Sequence, residues 1–583
     1  MSGITATPAI QLPENNASDS FIEQPALEYR PFGPIPPAFF LGGSLVLLGL
    51  LMLAGHLLGA GSSRKNIIGS ARWAGRRERN NARKQALQQV ASKDPSQVSL
   101  WINAPENIDG HKMTGDKNTI WIPNATSGTS VIGGSNTGKS YSVIKPTLRS
   151  AIAQGLPTVL LDTDYPGLAK TIAPLAESVG YEVSIFAPGY PESQICNVLD
   201  FVKDLRDSTG ASQISKTLVK NFSMHGKHED LFFAQAGELA TEAALLLAKA
   251  MPHQDLLTSF CILKDVDMMK RIKGVHKIDP WLSLAFGQLV STAKSEKTVD
   301  SIRGTAALLF GQLMRPDILP ALMGESTIPL QMTGKRLLIF GVKQDIRMVV
   351  SPLIAGIINA IVSRNVIYGR TEPLFLSLDE MPSMYFPEIS EWLAEKRKYG
   401  LCCQIGYQTF QQLVNTYGKE LADVIFTNTA TKFMFNPQHV DTAELVSRTL
   451  GDRDITYKTI SRTTGRNRSR SRGEHRVKRR LKSADEILKM PQGTCIMINP
   501  GYAHGREQYI PMFFDPIHIT DKELKIQSAS ESAWREFLGK RSEGTAAENQ
   551  ISTLAITQRE AEFKKALPLN GETEAPDFSK MLK

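Results

Sequence analysis

The sequence predicts an α/β protein in which a mostly parallel sheet carries an inserted all-α segment. Three observations lead to this: short apolar runs alternate with helical stretches, one run leads into a glycine-rich loop, and residues 201–333 show little strand signal. The chain has 583 residues, more than one hydrophobic core usually supports. We expect a polar extracytoplasmic tail at 1–37, a transmembrane helix at 38–60, a basic juxtamembrane segment at 61–116, a discontinuous sheet domain at 117–200 and 334–520, the insertion at 201–333, and a polar tail at 521–583.

Composition narrows the class of protein. Hydrophobic residues make up 42% of the chain and charged residues 21%, which excludes a fibrous or wholly disordered protein. The five cysteines are odd in number and form no CxxC pair, so neither a disulfide framework nor a zinc–thiolate site is expected. The net charge of +9 is concentrated in two basic segments, residues 64–84 and 462–482. Such a charge distribution indicates what the protein binds rather than how it folds.

A membrane span is predicted near the N-terminus, because residues 38–60 carry no formal charge. A helix of this length spans about 34 Å, enough for a hydrocarbon core of about 30 Å. Basic residues follow the span, so the large C-terminal part is expected in the cytoplasm, and lipid headgroups are the simplest partner of residues 64–84. The alternatives are a secretory signal peptide, whose apolar region is usually shorter and follows positive charge, and a buried core helix.

A glycine-rich loop follows the apolar strand Thr129–Ile132, and a helix is expected from Tyr141. Glycines let backbone N–H groups surround phosphate oxygens at a helix N-terminus. Within this G-x-x-x-x-G-K-S pattern, Lys139 is expected to reach the β- and γ-phosphates of ATP, and the Ser140 hydroxyl to bind Mg²⁺. The alternative is a glycine turn that binds no nucleotide. The loop residues are Gly133, Gly134, Ser135, Asn136, Thr137, Gly138, Lys139 and Ser140.

Further apolar runs predict the other strands of the sheet, separated by helical stretches as a parallel sheet requires. They lie at residues 157–161, 183–186, 336–340, 374–378, 401–405, 431–435 and 494–498. Between residues 200 and 333, stretches such as 237–250 and 281–309 have a helical pattern instead. We therefore expect an all-α domain inserted into the sheet domain.

Two acidic residues, Asp379 and Glu380, end the apolar run Leu374–Leu378. Such a run is typical of a strand buried on both faces, and ligands bind at the carboxyl ends of parallel strands. Asp379 is expected to lie beside the Mg²⁺ ion, and Glu380 to polarise the attacking water. The alternative is an ordinary strand end. The ten histidines show no paired ligand spacing, so Mg²⁺ held with the nucleotide is the only metal expected.

The basic segment 462–482 mixes arginine with Ser, Thr and Gly and is predicted to be a flexible loop. As a DNA-binding element it would neutralise phosphates without reading bases, so binding would weaken steeply with salt. Aromatic residues are sparse nearby, which argues against a base-stacking platform. The alternatives are contact with anionic lipid and a solvated loop. The DNA-binding candidates are Arg466, Arg468, Arg470, Arg472 and Arg476.

The tail at 521–583 is polar and balanced in charge, with helices expected at residues 532–538 and near 558–567. It is predicted either to dock a partner or to be a disordered end.

Taken together, these residues resemble the TraG-like type IV coupling proteins, the membrane-anchored ATPases of bacterial conjugation and type IV secretion. The resemblance runs from about residue 68 to about residue 515. It rests first on the glycine loop and on GSARWA at 69–74. It rests further on LDEMPS at 378–383 and on Tyr399-Gly400-Leu401, followed by Tyr407-Gln408 and Gln412-Leu413. Near the end come ADEI at 484–487, Met490-Pro491 and Gly501-Tyr502.

The resemblance implies a RecA-like motor domain with an all-α insertion, assembled as a homo-hexameric ring at the bacterial inner membrane. Such proteins bind ATP and Mg²⁺, bind DNA with little sequence preference, and dock relaxase and other relaxosome proteins onto the type IV secretion channel. By position, Asp379 and Glu380 would form the hydrolytic pair and Gln408 would sense the γ-phosphate. Arg397 is similar to an arginine that some members present to a neighbouring subunit's nucleotide, and a solvated basic helix end is its alternative.

Two features depart from the family pattern. Members commonly follow the second strand with Asp-x-Lys-Gly-Glu, whereas this chain has DTDYPG at 162–167, without the lysine and glutamate. Any coupling role of those two residues in the family is therefore not carried over to this chain. The family usually has two membrane spans, and only one is predicted here.

Three functions follow from these patterns. The first is an ATP-driven coupling motor that recruits a DNA–relaxase complex or an effector protein and drives its transfer. The second is an FtsK-type DNA translocase, although the several spans and the terminal winged helix of that class are not evident. The third is a docking receptor that uses nucleotide only to assemble.

Overall fold

The computed structural model describes residues 71–109, 112–223, 231–274, 279–292, 296–463, 469–541 and 553–569. The chain divides into two compact units, Met1–Ile67 and Ile68–Lys583, and the first lies outside the described residues, as do the predicted tail and span at 1–60. Within the described ranges, one stretch, Gln344–Asn365, is long and apolar enough to cross a bilayer. Because 78% of its most apolar window is buried inside the protein, it has the character of a core helix.

A small N-terminal layer precedes the main sheet. It consists of helix α1 (Arg76–Val90) and strands β1 (Leu100–Ile102), β2 (Asn107–Asp109), β3 (Lys112–Thr114) and β4 (Ile120–Ile122). β1 pairs antiparallel with β4, and β2 with β3. The Trp101 and Trp121 rings meet edge-to-face at 5.8 Å. The stretch predicted as a basic juxtamembrane segment therefore contains a folded helix and strands from Arg76 onward.

Eleven further strands follow in the described residues: β5 (Thr129–Ile132), β6 (Thr158–Asp162), β7 (Glu182–Phe186), β8 (Arg336–Gly341), β9 (Leu374–Leu378), β10 (Leu401–Tyr407), β11 (Thr431–Met434), β12 (Asp452–Thr463), β13 (Ser469–Arg480), β14 (Cys495–Ile498) and β15 (Met512–Phe514). Nine of them form the central sheet, in the order β15-β14-β11-β5-β10-β9-β6-β8-β7. In this order the strands from β11 to β7 are parallel, whereas β14 and β15 are antiparallel. Each predicted strand is present, with its ends within two residues of the prediction.

Helices cover both faces of this sheet. Successive residues of β6 point to opposite sides, so Val159 and Leu161 join one core and Leu160 joins the other. This two-sided burial explains why the strands are continuous apolar runs. The helices are α2 (Lys145–Ala153), α3 (Ala169–Ser178), α4 (Ser208–Ser223), α5 (Leu231–Lys249), α6 (Leu256–Lys264), α7 (Met268–Gly274), α8 (Pro280–Thr292), α9 (Glu296–Gly311), α10 (Arg347–Asn365), α11 (Ile389–Ala394), α12 (Phe410–Tyr417), α13 (Lys419–Asn428), α14 (Val440–Leu450), α15 (Ala484–Leu488), α16 (Asp521–Gly539) and α17 (Thr553–Ala566).

The region between β7 and β8 is helical, as its sequence pattern predicts. Its described residues form α4 to α9 and contain no strand. The stretch predicted as one helix at 281–309 is two helices, since α8 ends at Thr292 and α9 begins at Glu296. Helix α4 packs along α10, so the insertion rests on one face of the sheet.

The basic segment 462–482 is not a flexible loop in its described part, and that prediction is wrong. β12 and β13 form an antiparallel ribbon from the pair Asp452–Arg480 to the pair Thr463–Ser469. Ion pairs across the strands and β-branched residues such as Ile455 favour an extended conformation, which arginine content alone does not indicate.

The C-terminal segment packs against the protein in its described part, so the interpretation as a disordered end is wrong for these residues. Helix α16 packs on α3, and a buried ion pair joins Arg149 to Glu523. Helix α17 packs on α6, where Arg559 pairs with Asp255 at 2.8 Å. Both helices begin earlier than the stretches predicted from the sequence.

Candidate nucleotide-binding site

The glycine loop connects the carboxyl end of β5 to a helix, as predicted. The helix begins with a single π-type turn at Ser140–Ile144 and continues as α2. Gly138 has a φ of +102°, a conformation that L side chains rarely adopt, and a Cβ there would lie 3.2 Å from the Gly493 nitrogen. The Gly134 N–H donates to the Asn436 carbonyl at 2.8 Å. The residues after β11 and before β14 therefore shape the loop from outside.

Lys139 occupies the centre of the loop. Its side chain is buried, and its ammonium donates to the carbonyls of Gly133 and, at 3.3 Å, of Gly134. Burial lowers the pKa of Lys139, while the nearby carboxylates of Glu380 and Asp379 oppose this shift. Lys139 thus lies between the glycine loop and the two acids predicted to take part in ATP hydrolysis.

The structure brings Ser140 and Asp379 together. β9 lies two strands from β5, with β10 between them, so its carboxyl end faces the same edge as the glycine loop. The Ser140 Oγ donates to Asp379 Oδ1 at 3.4 Å. Burial raises the pKa of Asp379, and Lys139 and the Ser140 hydroxyl counteract the rise. A hydroxyl and a carboxylate in contact beside a phosphate-type loop are the oxygen ligands that Mg²⁺ uses in P-loop sites.

Glu380 and Gln408 also meet at this edge. Gln408 follows the last residue of β10, and its side chain is close enough to Glu380 to lower the pKa of that carboxyl. Burial raises the pKa of Glu380, and Lys139 is the main cation that opposes this. The Glu380 Oε1 is buried and has no hydrogen-bond partner among the described residues. An unsatisfied carboxylate oxygen in this place suits a water or a phosphate-bound group.

Arg397 lies away from this cluster. It is exposed on a short 3-10 turn, Lys396–Tyr399, just before β10 begins. The seven residues of β10 extend about 20 Å to the edge that carries Gln408. Within one chain, Arg397 therefore lies at the amino-terminal ends of the parallel strands, whereas the glycine loop lies at their carboxyl ends.

Three further residues at the site were not found from the sequence. Arg347, at the start of α10, contributes positive potential at Glu380. Asp162, at the end of β6, is fully buried, and burial raises its pKa to about 7. Gly406 lies so close to the Asp379 carbonyl that a Cβ would overlap it. Position at the carboxyl end of a strand could have indicated Asp162. Arg347 lies at a helix start beyond β8, and Gly406 lies within β10, so only the tertiary structure reveals these two.

The altered segment 162–167 has a structural role at its first residue. One Asp162 oxygen accepts hydrogen bonds from the Leu168 and Ala169 N–H groups, both at 2.8 Å, and so caps α3. Its Oδ1 has no partner in the described part of the chain.

The predicted DNA-binding arginines are only partly described. Arg476 is exposed on β13. Arg470 and Arg472 belong to the same strand, although their side chains are outside the description. Arg466 and Arg468 lie outside the described residues. In the described ranges, no group of three His, Cys, Asp or Glu side chains is placed to hold a metal ion.

Two family models match this chain. One, described as type IV secretory system conjugative DNA transfer, covers residues 89–305. The other, described as the TraM recognition site of TraD and TraG, covers residues 373–492. The second match includes the acid pair, Gln408 and the β12–β13 ribbon.

Similar curated proteins are conjugation proteins. The coupling protein TraD of Escherichia coli (strain K12) is 25% identical over 336 residues, which is 55% of this chain and 45% of TraD. The conjugal transfer protein TraG of Rhizobium radiobacter is 31% identical over 153 residues, 26% of this chain and 23% of TraG. The matched part of this chain thus spans less than half the length of either relative.

Solved structures of the coupling protein TrwB share the fold. TrwB in complex with ADP and Mg²⁺ has 16% sequence identity and a TM-score of 0.53, covering 79% of this chain and 96% of TrwB. A TrwB form in complex with sulphate has 17% identity, the same TM-score and the same coverage. This likeness confirms the predicted RecA-like α/β fold. The family models and the curated relatives confirm the resemblance seen in the sequence: this chain is homologous to the coupling proteins TraD and TraG.

Proposed function

We propose that this chain is an ATP-hydrolysing coupling protein of a conjugative type IV secretion system. It would recruit a DNA–relaxase complex or an effector protein to the channel and drive its transfer. The observation that carries the proposal is the contact of Ser140 with Asp379 beside the buried Lys139, at the edge where Glu380 and Gln408 also meet. The homology to TraD and TraG supports the conjugative setting.

The site residues divide the work of ATP hydrolysis. Backbone N–H groups from Gly133 to Ser140 and the Lys139 ammonium would bind the phosphates, and Ser140 with Asp379 would hold Mg²⁺. The bound metal supplies charge neutralisation at the phosphates. Glu380 orients a water through its unsatisfied oxygen, and Gln408 holds that carboxylate in place.

Arg397 is proposed to act in a neighbouring subunit of a homo-hexamer. Its place at the opposite edge of the sheet from the glycine loop of its own chain supports a role in trans. A guanidinium supplied by a neighbour stabilises transition-state charge in related phosphoryl-transfer systems.

The remaining parts would place the motor in its setting. Residues 38–60 would anchor the chain in the bacterial inner membrane by a single span, with the bulk in the cytoplasm. The basic ribbon would bind DNA without sequence preference. The match to the TraM recognition model at 373–492 supports contact with a relaxosome protein.

A docking receptor without motor activity is the second candidate. One observation favours it: Asp162 is used to cap α3 in a segment that lacks the lysine and glutamate common in the family. In that case nucleotide would bind without being turned over.

Hydrolysis by the full-length protein in detergent, with and without single-stranded DNA, tests the proposal. We expect DNA-stimulated hydrolysis that Lys139→Ala and Glu380→Gln both abolish. Glu380→Gln should still bind nucleotide, since it keeps the loop intact. The exposed Arg448→Ala serves as the matched control. Nucleotide binding without hydrolysis in the wild-type protein would overturn the motor and favour the receptor.

A further inference from the structure

The β12–β13 ribbon has an apolar and aromatic face. Its register pairs Ile455 with Val477 and Tyr457 with His475. Because side chains alternate along a strand, these four residues share one face of the ribbon. The Tyr457 and His475 rings stack, with centroids 5.4 Å apart and planes inclined by 22°. Two aromatic residues that are 18 positions apart in the sequence thus form one stacked pair, the Tyr457–His475 platform, whose outer ring faces can continue the stack.

The platform is open to solvent. Tyr457 and Val477 are each 48% exposed, and His475 is exposed as well. Gly473 lies next to the ring of His475, where a Cβ would stand 3.2 Å from Nε2. The absence of a side chain at Gly473 leaves the outer edge of the platform free. A two-stranded ribbon is only marginally stable alone in water, so a ligand that covers this face would stabilise it.

The charge of the ribbon indicates the class of ligand. The two strands contain nine Lys and Arg residues and three acidic residues. At the end of the ribbon where β12 begins and β13 ends, Asp452 pairs with Lys478 at 3.0 Å and with Arg480 at 3.2 Å. On the face opposite the platform, Lys458 pairs with Glu474 at 3.3 Å. By the same alternation, Arg453 and Arg479 share the face of the platform, and Arg479 also pairs with Glu486 at 3.2 Å. The net positive charge of the two strands suits a polyanion rather than an apolar protein surface.

We propose that the Tyr457–His475 platform stacks against a base of single-stranded nucleic acid, while arginines of the ribbon contact its phosphates. Base–aromatic stacking requires unpaired bases and tolerates any sequence, because every base has a π-face. The inference deepens the proposed function and rests on its DNA-binding part. The sequence-based argument against a stacking platform counted aromatic residues along the chain, whereas the register brings the two rings together from different strands.

An abasic oligonucleotide separates stacking from phosphate contact. Binding of the full-length protein to a labelled 12-nucleotide thymidine strand and to an abasic strand of equal length is measured by fluorescence anisotropy over a range of salt. The wild-type protein should bind the thymidine strand at least about 5-fold more tightly. Tyr457→Ala should lose this preference yet bind the abasic strand with unchanged affinity and salt slope. Tyr457→Phe should keep it.

Ile460→Ala is the matched control, because Ile460 is 50% exposed on the opposite face of the same strand. It should leave the preference intact. A preference that survives in Tyr457→Ala, or its absence in the wild-type protein, would overturn the platform. Unchanged binding to the abasic strand shows that the ribbon is still folded in the variant. Wild-type protein that hydrolyses ATP and binds both strands equally overturns the platform alone, whereas failure to hydrolyse ATP counts against the motor.

Discussion

Gly406 fixes the position of the proposed Mg²⁺ ligand. It lies on β10 against the carbonyl of Asp379, and any side chain at this position would push the end of β9 away. We expect Gly406→Ala to lower ATP hydrolysis by about 100-fold, the scale reported for a 1 Å misplacement of reacting groups.

Steady-state hydrolysis together with thermal unfolding checks this prediction. Gly304→Ala is the control, because a Cβ on Gly304 meets no atom within 4 Å. Unimpaired hydrolysis in Gly406→Ala would contradict the close approach of the two strands.

Asp162 should make the stability of the nucleotide-free protein depend on pH. Burial raises the pKa of Asp162 to about 7, whereas the unfolded chain ionises this group near pH 3.9. The stabilisation is complete below about pH 4 and is lost as the pH rises to about 7, because only the unfolded state releases the proton in this range.

Urea unfolding at pH 5 and pH 8 checks this expectation. The wild-type protein should lose about 3 kcal/mol more stability between the two than Asp162→Asn, because about two pH units separate pH 5 from the folded pKa of about 7 and each is worth about 1.36 kcal/mol. The asparagine can still accept the hydrogen bonds that cap α3. Equal pH dependence in both proteins would show that Asp162 is ionised when folded.

At the scale of elements, the ribbon should contribute salt-dependent affinity for DNA. For single-stranded DNA, each arginine that neutralises a phosphate steepens the slope of log K against log salt by about 0.7. Arg476→Gln should flatten the slope by about that amount, and adding Arg470→Gln and Arg472→Gln should flatten it further. Arg448→Gln, on α14, is the control. An unchanged slope would place the phosphate contacts elsewhere.

Helix α17 depends on a buried ion pair for its position on α6. Arg559 and Asp255 are each more than nine-tenths buried, and Asp255 also accepts the Thr258 N–H at 2.8 Å. Removing one partner of such a pair leaves a buried charge and costs about 3–5 kcal/mol. Arg559→Ala should therefore expose α17 to hydrogen exchange.

The exposed ion pair between Arg448 and Glu444 is the control for the buried pair between Arg559 and Asp255. Arg448→Ala should change hydrogen exchange little, because surface ion pairs contribute about 0–1 kcal/mol. Retained protection of α17 in Arg559→Ala would show that apolar contacts alone hold the helix.

At the scale of the whole molecule, the position of Arg397 predicts catalysis between subunits. Neither Lys139→Ala nor Arg397→Ala protein should hydrolyse ATP alone. Mixed rings should recover part of the activity, because a Lys139→Ala subunit still presents Arg397 to its neighbour's intact loop. Mixing experiments at several ratios, with hydrolysis as the readout, test this. Normal hydrolysis by Arg397→Ala, or no recovery on mixing, would exclude the role in trans.

Much of the central sheet could be predicted because its signals are local. The strands are continuous apolar runs that are buried on both faces, and the glycine loop and the acid pair are contiguous in the chain. The insertion was predictable for the same reason, since helical periodicity is present within each segment. The ribbon was not, because arginine-rich composition resembles that of a disordered segment and the cross-strand pairs are visible only in the register.

The sequence by itself determined the succession of strands and helices along the chain, the glycine loop and the family, because each depends on neighbouring residues or on a motif. Tertiary structure alone decided the contacts between distant residues: Ser140 with Asp379, Glu380 with Gln408, Gly406 with Asp379 and Tyr457 with His475. The physical reason is that strand order and register bring these groups together, and both are set by packing of the whole chain rather than by any local segment.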